Sequence, residues 1–593
     1  MHAHTQPGAV PVDPAQNLTD PLWQLERSRP DVAILAYRAG GGPFVDITYA
    51  EMAAKVRRIA AGLMALGVEK GDRVCLFSPT RVEFTLFDYA IWTAGAATVT
   101  IYETSSAEQV EWIVRDSGAK VLVCADDYLT KVYMERSDGL CEHVLSLESG
   151  GMDTLLAAGR DVGDEAVMAR ARSMTQDDLA TLVYTSGTTG RPKGCELTTR
   201  NFVWEVRQVA HELGEVLYEG ASTLMFLPLA HIFARLVQCG SIVTGAKIAY
   251  ASGIPALTEE LPMVQPTWLF SVPRVFEKVY NSARSKAQAE RKVRIFDMAA
   301  KVAADYSRQS EAGTVKLRTR ALHGLFDRLV YVKVRHALGG NVRYAVSGGA
   351  ALGERLGHFF NGVGLTVLEG YGLTENVAAA AFNRPGRVRI GTVGQPVAGS
   401  TIAIADDGEV LLKGEHVFRG YWNNPKATAE VFDETGFFHT GDIGDLDTDG
   451  YLRITGRKKE LIVTASGKNV APAVLEDRLR AHPLVSECVV VGDARPYVGA
   501  LVTLDAEQVA AWASSHGKTW SLEALHQDPD LVAEIQNAVD EANRAVSKAE
   551  SIRRFVTLAH DFTVDAEEIT PTLKVRRQVI AMHFADEIES LYS

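Results

Sequence analysis

Apolar residues recur at helical spacing over 49–67 (YAEMAAKVRRIAAGLMALG), and the stretch closes on Gly67, a C-terminal stop for a helix. Short apolar runs at 73–77 (RVCLF) and 120–124 (KVLVC) have the length of buried strands. Further runs at 224–228, 268–272 and 342–346 each predict a strand entering a loop. Over 18–180 the two periods alternate, which predicts an α/β architecture with a largely parallel sheet. Residues 282–337 break that rhythm: strand signals nearly vanish, and Ile295, Ala299, Val302 and Tyr306 mark one helical face. After Gly456 the composition shifts again, with strands predicted at 485–491, 498–504 and 554–558 around a helix at 530–548. The expected organisation is a flexible arm over 1–17, a large N-terminal domain over 18–457 of layered sheets and helices, and a small C-terminal α/β domain over 458–593. The large domain carries a helical insertion at about 282–337.

Composition narrows the function classes. With 593 residues, 47% of them hydrophobic, the chain has the material for two to four ordinary domains. A net charge of −13 argues against a polycation that grips nucleic acid through its phosphates. No uncharged stretch reaches the roughly 18 apolar residues of a membrane span, and the polar 1–17 segment lacks the basic start and apolar core of a secretion signal. The six cysteines form no CxxC pair and stand at no metal-ligand spacing with histidine, so reduced thiols in a cytoplasmic protein are expected. Between Arg284 and Arg335 there are 13 Lys/Arg against 5 Asp/Glu. That local excess fits either solvated surface helices or a peripheral contact with anionic lipid on the inner membrane face.

The most specific segment is Tyr184-Thr-Ser-Gly-Thr-Thr-Gly-Arg-Pro-Lys-Gly194, which follows the apolar run 179–183. Glycines let backbone N–H groups converge on an anion, the hydroxyls of Thr185, Ser186, Thr188 and Thr189 donate further bonds, and Lys193 supplies charge. The spacing does not fit a Walker A loop.

This segment resembles the phosphate loop of the adenylate-forming superfamily of acyl-CoA synthetases, peptide-synthetase adenylation domains and luciferases. The remaining motifs of that superfamily follow in order. Ser347-Gly-Gly-Ala350 resembles its adenine-side loop, and Gly370-Tyr-Gly-Leu-Thr-Glu375 its second nucleotide signature. His439-Thr-Gly-Asp442 resembles the ribose motif, Gly456-Arg-Lys-Lys-Glu460 the interdomain hinge, and Pro571-Thr-Leu-Lys574 the C-terminal lysine motif. The resemblance implies that 458–593 is a mobile lid, that the reactants include ATP with Mg²⁺, and that catalysis rests on positioning and on stabilising charge at phosphorus. It assigns nucleotide binding to Thr185, Ser186, Gly187, Thr188, Thr189, Gly190 and Lys193 in the first loop. Gly348, Gly349 and Ala350 follow, then Glu369, Gly370, Tyr371 (stacked on adenine), Gly372 and Thr374. Asp442 suits the two ribose hydroxyls, and Arg457 reaches the ribose or a phosphate. Glu375 is the expected Mg²⁺ ligand, since that hard cation prefers carboxylate oxygen. Lys574, His231, Thr374 and Glu375 form the expected catalytic set, with Lys574 also on the nucleotide and His231 beside the substrate carboxylate.

Features of the acyl side lean toward long fatty acids. The runs Phe437-Phe-His-Thr-Gly-Asp-Ile-Gly444 and Phe418-Arg-Gly-Tyr-Trp-Asn-Asn-Pro425 resemble those of fatty acyl-CoA synthetases, and the basic insertion is typical of long-chain members. No Asp or Glu lies between Ala221 and Leu257 to pair with an amino-acid ammonium. Phe226, Leu229, Phe233, Val237 and Val346 are candidates either for the wall of an acyl tunnel or for plain core. The resemblance thus implies a long-chain fatty acid–CoA ligase that takes fatty acid, ATP and coenzyme A. Two alternatives stay open: a fatty acyl-AMP ligase that hands its product to a carrier protein, and a non-catalytic lipid- or nucleotide-binding relative. No carrier domain is expected after Lys574, and the oligomeric state is left open.

Overall fold

A computed structural model describes residues 2–185, 191–465, 468–570 and 574–593. Four sheets build the large domain. The first has seven strands in the order Gly420–Tyr421, Lys193–Thr198, Leu179–Thr185, Ala97–Ile101, Arg73–Phe77, Val121–Cys124, His143–Ser146. From Leu179–Thr185 onward the neighbours in that order are parallel, as their near-continuous apolar sequences require, with helices such as Tyr49–Ala65 and Val82–Thr93 among the elements between them. Thr48 starts the helix Tyr49–Ala65 with a reciprocal capping box to Glu51. A second sheet runs Trp268–Ser271, Tyr344–Ser347, Thr366–Tyr371, Ala381–Phe382 and Gln395–Pro396. Its first three strands are parallel, and the second and third end at the Gly348–Ala350 and Gly370–Glu375 loops. A third sheet joins Ser222–Met225, Lys247–Tyr250, Ala33–Arg38 and Phe44–Thr48.

The fourth sheet departs from the largely parallel expectation. It is antiparallel throughout, in the order His2–Thr5, Thr401–Ile404, Glu409–Lys413, Phe438–Leu446, Leu452–Arg457. Its first strand corrects the flexible arm: His2–Thr5 pairs along Thr401–Ile404, and the backbone of Ala9 and Val10 bonds the buried Gln208 amide. The side chain of Gln176 then holds the carbonyls of Asp13 and Gln16.

The insertion consists of helices Pro273–Ala289, Val293–Glu311, Leu317–Phe326 and Val332–Ala337, with a π-helical stretch Asp327–Tyr331 before the last. Its buried face is Phe296, Ala299, Val302 and Ala303, so the expected face is corrected at one end: Ile295 is 47% exposed. Helix Val293–Glu311 packs on Glu354–Val363 at a glycine, since a Cβ on Gly362 would lie 2.0 Å from the Ala303 carbonyl oxygen. From Ile462 onward two separate apolar clusters, around Leu501 and Val502, fill a small unit built on the strands Val485–Val491, Val498–Leu504 and Ile552–Thr557. No described helix is long and apolar enough to cross a membrane.

At the centre of the large domain lies a fully buried ion pair. The Arg235 guanidinium donates to both Asp88 oxygens at 3.0 and 2.5 Å, and to the Thr181 hydroxyl at 2.6 Å. Thr98 and Gln238 donate to the same carboxylate at 2.7 and 3.0 Å. Trp92 and Phe202 face the guanidinium at 5.4 and 5.6 Å. The network ties helices Val82–Thr93 and Ile232–Thr244 to strands Ala97–Ile101 and Leu179–Thr185. Removing one partner leaves an unpaired buried charge, a loss of about 3–5 kcal/mol. We therefore expect Asp88→Ala to lower the unfolding free energy of the large domain by an amount in that range, read as a lower midpoint in a urea titration followed by tryptophan fluorescence. The double variant Asp88→Ala/Arg235→Met should recover part of the loss, and an Asp88→Ala midpoint equal to wild type would contradict this account.

Candidate active site

The loops at the strand ends of the first two sheets, the antiparallel sheet and the small unit surround one cleft of about 3540 Å³. Thr185 and Lys193 lie opposite each other where the hairpin between the Leu179–Thr185 and Lys193–Thr198 strands opens. The predicted phosphate-loop residues Ser186, Gly187, Thr188, Thr189 and Gly190 lie outside the described residues, as do Pro571, Thr572 and Leu573 ahead of Lys574. Every other predicted site residue lines the cleft: Thr185, Lys193, His231, Gly348, Gly349, Ala350, Glu369, Gly370, Tyr371, Gly372, Thr374, Glu375, Asp442, Arg457 and Lys574.

Two of these positions demand glycine. Gly349 sits at φ +89°, and a Cβ there would meet Val272 Cγ1 at 3.8 Å and Lys574 Cε at 3.9 Å. A Cβ on Gly372 would fall 1.9 Å from the Ala378 carbonyl oxygen, so only glycine lets the chain double back before Thr374. Beside this turn, the buried Glu369 accepts the Leu352 N–H at 2.9 Å and pins the exit of the Gly348–Ala350 loop. Burial pushes the Glu369 carboxyl up to about 7.

Around the expected ribose site, antiparallel register brings Asp442 and Arg457 face to face. Arg457 Nε donates to Asp442 Oδ1 at 2.8 Å and the Tyr371 hydroxyl donates to Oδ2 at 2.6 Å. The Tyr371–Asp442 bond gives the tyrosine a role that the sequence did not indicate. Glu375 accepts the Tyr421 hydroxyl at 2.9 Å, and the same tyrosine ring lies 4.9 Å from Lys193 Nζ. Tyr421 was missed, although it stands in the Phe418–Pro425 run; nothing in a one-dimensional motif says that its ring separates a lysine from a glutamate.

His231 caps the helix Ile232–Thr244, its Nδ1 accepting the Phe233 N–H at 3.2 Å. That bond places the proton of a neutral ring on Nε2. Burial, with the Lys574 ammonium as a second cause, pushes His231 down to about 3. Lys574 itself is shifted down, first by burial and then by Arg457, while Asp442 and Glu375 pull it back up. Its ammonium stays open to the lumen of the cleft even though protein walls surround it.

Apolar residues make up one part of the cleft lining, its apolar branch: Phe226, Phe233, Val237 and Val346, with Val209, Leu213, Leu236 and Trp268. Leu229 takes the other reading: it is fully buried in the core and does not line the cleft.

Two family models match the chain, one described as AMP-binding enzyme over residues 23–422 and one as AMP-binding enzyme C-terminal domain over 459–593. The long-chain-fatty-acid–CoA ligase FadD15 of Mycobacterium bovis is 49% identical over the full length of both chains. Long-chain-fatty-acid–CoA ligase 1 of Cavia porcellus is 28% identical, covering 94% of this chain and 84% of its own. Among solved structures, the anthranilate CoA ligase AuaEII superposes with a TM-score of 0.74 at 21% identity, covering 98% of this chain and 99% of its own. A Mycobacterium tuberculosis fatty acyl CoA synthetase superposes with a TM-score of 0.63 at 23% identity, covering 96% and 98%.

The His231 geometry makes a pH prediction. Its folded pKa of about 3 lies below the ordinary 6.5, so as pH falls the unfolded chain takes up this proton first. His231 therefore costs stability progressively below about 6.5 and nothing above it. In a ¹⁵N-histidine NMR titration the His231 ring should remain neutral, with Nε2 protonated, at pH 5; a midpoint near 6.5 would contradict the assignment.

Proposed function

The chain belongs to the AMP-binding enzyme family, and on that premise we propose that it is an ATP-dependent, AMP-forming long-chain fatty acid–CoA ligase. In the first step a fatty-acid carboxylate oxygen attacks the α-phosphorus of ATP, and pyrophosphate leaves. In the second, the coenzyme A thiol attacks the acyl carbonyl of acyl-AMP, AMP leaves, and the thiol proton passes to solvent. The observation that carries the reading is that one cleft joins an apolar branch to the Asp442–Arg457 pair, Lys193 and Lys574. Each methylene buried in such a branch contributes about 0.8 kcal/mol, which favours long chains.

In this reading Lys193 and the loop it closes hold the β- and γ-phosphates, Thr374 bonds the α-phosphate, and Asp442 takes the ribose hydroxyls. The Tyr371 ring lies against adenine. Lys574 acts on the charge that develops between carboxylate and α-phosphate, an interaction strongest in the transition state. Neutral His231 orients the carboxylate without adding a competing cation. Glu375 has one oxygen engaged by Tyr421 and the other available, which suits Mg²⁺, an ion commonly held by one or two carboxylates plus substrate phosphates. When bound, the ion supplies charge neutralisation at the phosphates. After adenylation the small domain, 458–593, turns about the short helical turn Lys458–Glu460, withdrawing Lys574 and admitting the thiol.

We expect pyrophosphate release with long-chain fatty acids and thioester only when coenzyme A is added. Lys574→Ala should lose adenylation by about 100-fold or more yet retain most thioester formation from supplied acyl-AMP. Acyl-AMP that accumulates with coenzyme A present would favour a ligase serving a carrier protein, and no pyrophosphate with any acid would leave a non-catalytic relative.

The insertion supports a peripheral contact of this cytoplasmic enzyme with the inner membrane face. Leu317 is 83% exposed, with Met298, Leu325 and Leu329 also more than half exposed, among the exposed Arg294, Lys316, Arg318 and Arg328. Apolar side chains beside cations suit an anionic lipid surface. Sedimentation with anionic vesicles should fall as salt rises, and fall further in Leu317→Ser/Arg318→Glu; binding unaltered by that variant would return the insertion to a solvated surface.

A further inference from the structure

Arg274 stands in the first turn of the helix Pro273–Ala289, in the large domain, yet its charged end lies in the small one. Its Nη2 donates to Ser486 Oγ at 2.9 Å and lies 3.5 Å from Asp561 Oδ2, while Nη1 lies 3.6 Å from Glu487 Oε2. The receiving surface is a built socket. Asp561 gives its Oδ1 to the Thr503 hydroxyl at 2.7 Å and to the Phe562 N–H at 2.9 Å. Glu487, 4% exposed, gives its Oε1 to Arg480 at 2.8 Å and to the Cys488 N–H at 3.0 Å. Each carboxylate thus anchors one oxygen inside the small domain and presents the other to Arg274, the Asp561 Oδ2 while also accepting the Ser486 hydroxyl. Ser486 also bonds Asp561, which fixes the rim. At the pivot, Lys458 pairs with Asp407 and Glu409 of the large domain at 2.5 and 3.1 Å. Away from the pivot and the cleft, the other described polar contacts of this boundary are weaker in kind: the neutral pair Ser285–Gln508, and Arg355 on the Ala481 carbonyl at 3.4 Å.

The socket and the reacting end of the small domain are joined through one loop. Val272, two residues before Arg274, borders the same Gly349 position that Lys574 borders. The orientation that docks Arg274 is therefore the orientation that puts Lys574 in the cleft. We propose that Arg274 is a positioning residue, a latch whose docking in the Ser486–Glu487–Asp561 socket holds the small domain in the adenylation orientation and whose release precedes thiol attack. The proposal rests on the ligase reading above. Arginine suits the task because its planar fork meets three acceptors at once, which an ammonium on a flexible stem does not.

The test separates the two half-reactions. Arg274→Ala should slow single-turnover pyrophosphate release by about 10-fold or more, which is about 1.4 kcal/mol of barrier. Thioester formation from supplied acyl-AMP and coenzyme A should be unchanged or faster. Asp561→Asn, on the socket side, should give the same split, and Arg274→Ala/Asp561→Asn should lose no more than the worse single variant. Arg274→Lys should fall between wild type and Arg274→Ala. Equal losses in both half-reactions, or fully additive losses in the double variant, would overturn the latch. If wild type itself makes neither product, the ligase reading fails, and the latch is then judged by small-angle X-ray scattering of the ligand-free proteins. A profile of Arg274→Ala that differs from wild type supports an unlatched small domain, and superposable profiles overturn it.

Discussion

An ammonium held inside a protein-walled cleft, next to a guanidinium, is the constraint around which this molecule is organised. Lys574 is shifted down by its surroundings, and Arg457 adds to the shift. Asp442 and Glu375 offset only part of this, because Asp442 already serves Arg457 and Tyr371, and Glu375 already serves Tyr421. The Lys574 ammonium is therefore incompletely compensated by its neighbours. A bound carboxylate and phosphate would restore the balance, so anionic ligands and the inserted orientation of the small domain favour each other through a shared electrostatic deficit. That coupling needs no special relay: it follows from placing the charge on one domain and its partners on the other.

The opposite arrangement holds the scaffold. Arg235 and Asp88 are as buried as Lys574 is accessible, but each of their side-chain nitrogens and oxygens has a partner, drawn from four elements. Such a satisfied network adds little net stability over an apolar core of the same shape, yet it tolerates few alternative packings. Its consequence for the site is positional. Arg235 lies one turn after His231 on the same helix, so the pair fixes the helix end that presents the neutral imidazole and one wall of the apolar branch.

Much of this was legible in the sequence, and the exceptions share a cause. Strands buried on both faces announce themselves as short apolar runs, so 485–491 and 498–504 were placed to the residue. Most of the described motif residues converge because they sit at strand ends or turns, Thr185, Lys193, Gly348, Gly372 and Glu375 among them, where local sequence controls geometry. The antiparallel sheet that carries Asp442 and Arg457 was not foreseen, since its pairing is non-local and the two strands that carry these residues are mixed in polarity. Ile295 was misplaced, and Leu229 left between two readings, because an apolar residue at the edge of a helical stripe, or beside a pocket, reads the same inside and outside. Tyr421, Arg235 and the Arg274 socket were invisible for a plainer reason: their partners lie tens to hundreds of residues away, and charge complementarity at that distance leaves no pattern in one dimension.

The N-terminal strand has a consequence beyond anchoring. Thr401–Ile404 is a flat apolar strand of a sheet whose other members are already paired, and His2–Thr5 supplies the hydrogen bonds its outer side would otherwise hold out to any passing chain. An uncovered strand of that kind is a template for intermolecular β-pairing and precipitation. The covering strand is only four residues long, carries two histidines and is mostly exposed, which makes it a poor template in its turn. Residues 2–5 thus act as a cover for the sheet that holds Asp442, blunting one edge that would otherwise be open to misassociation.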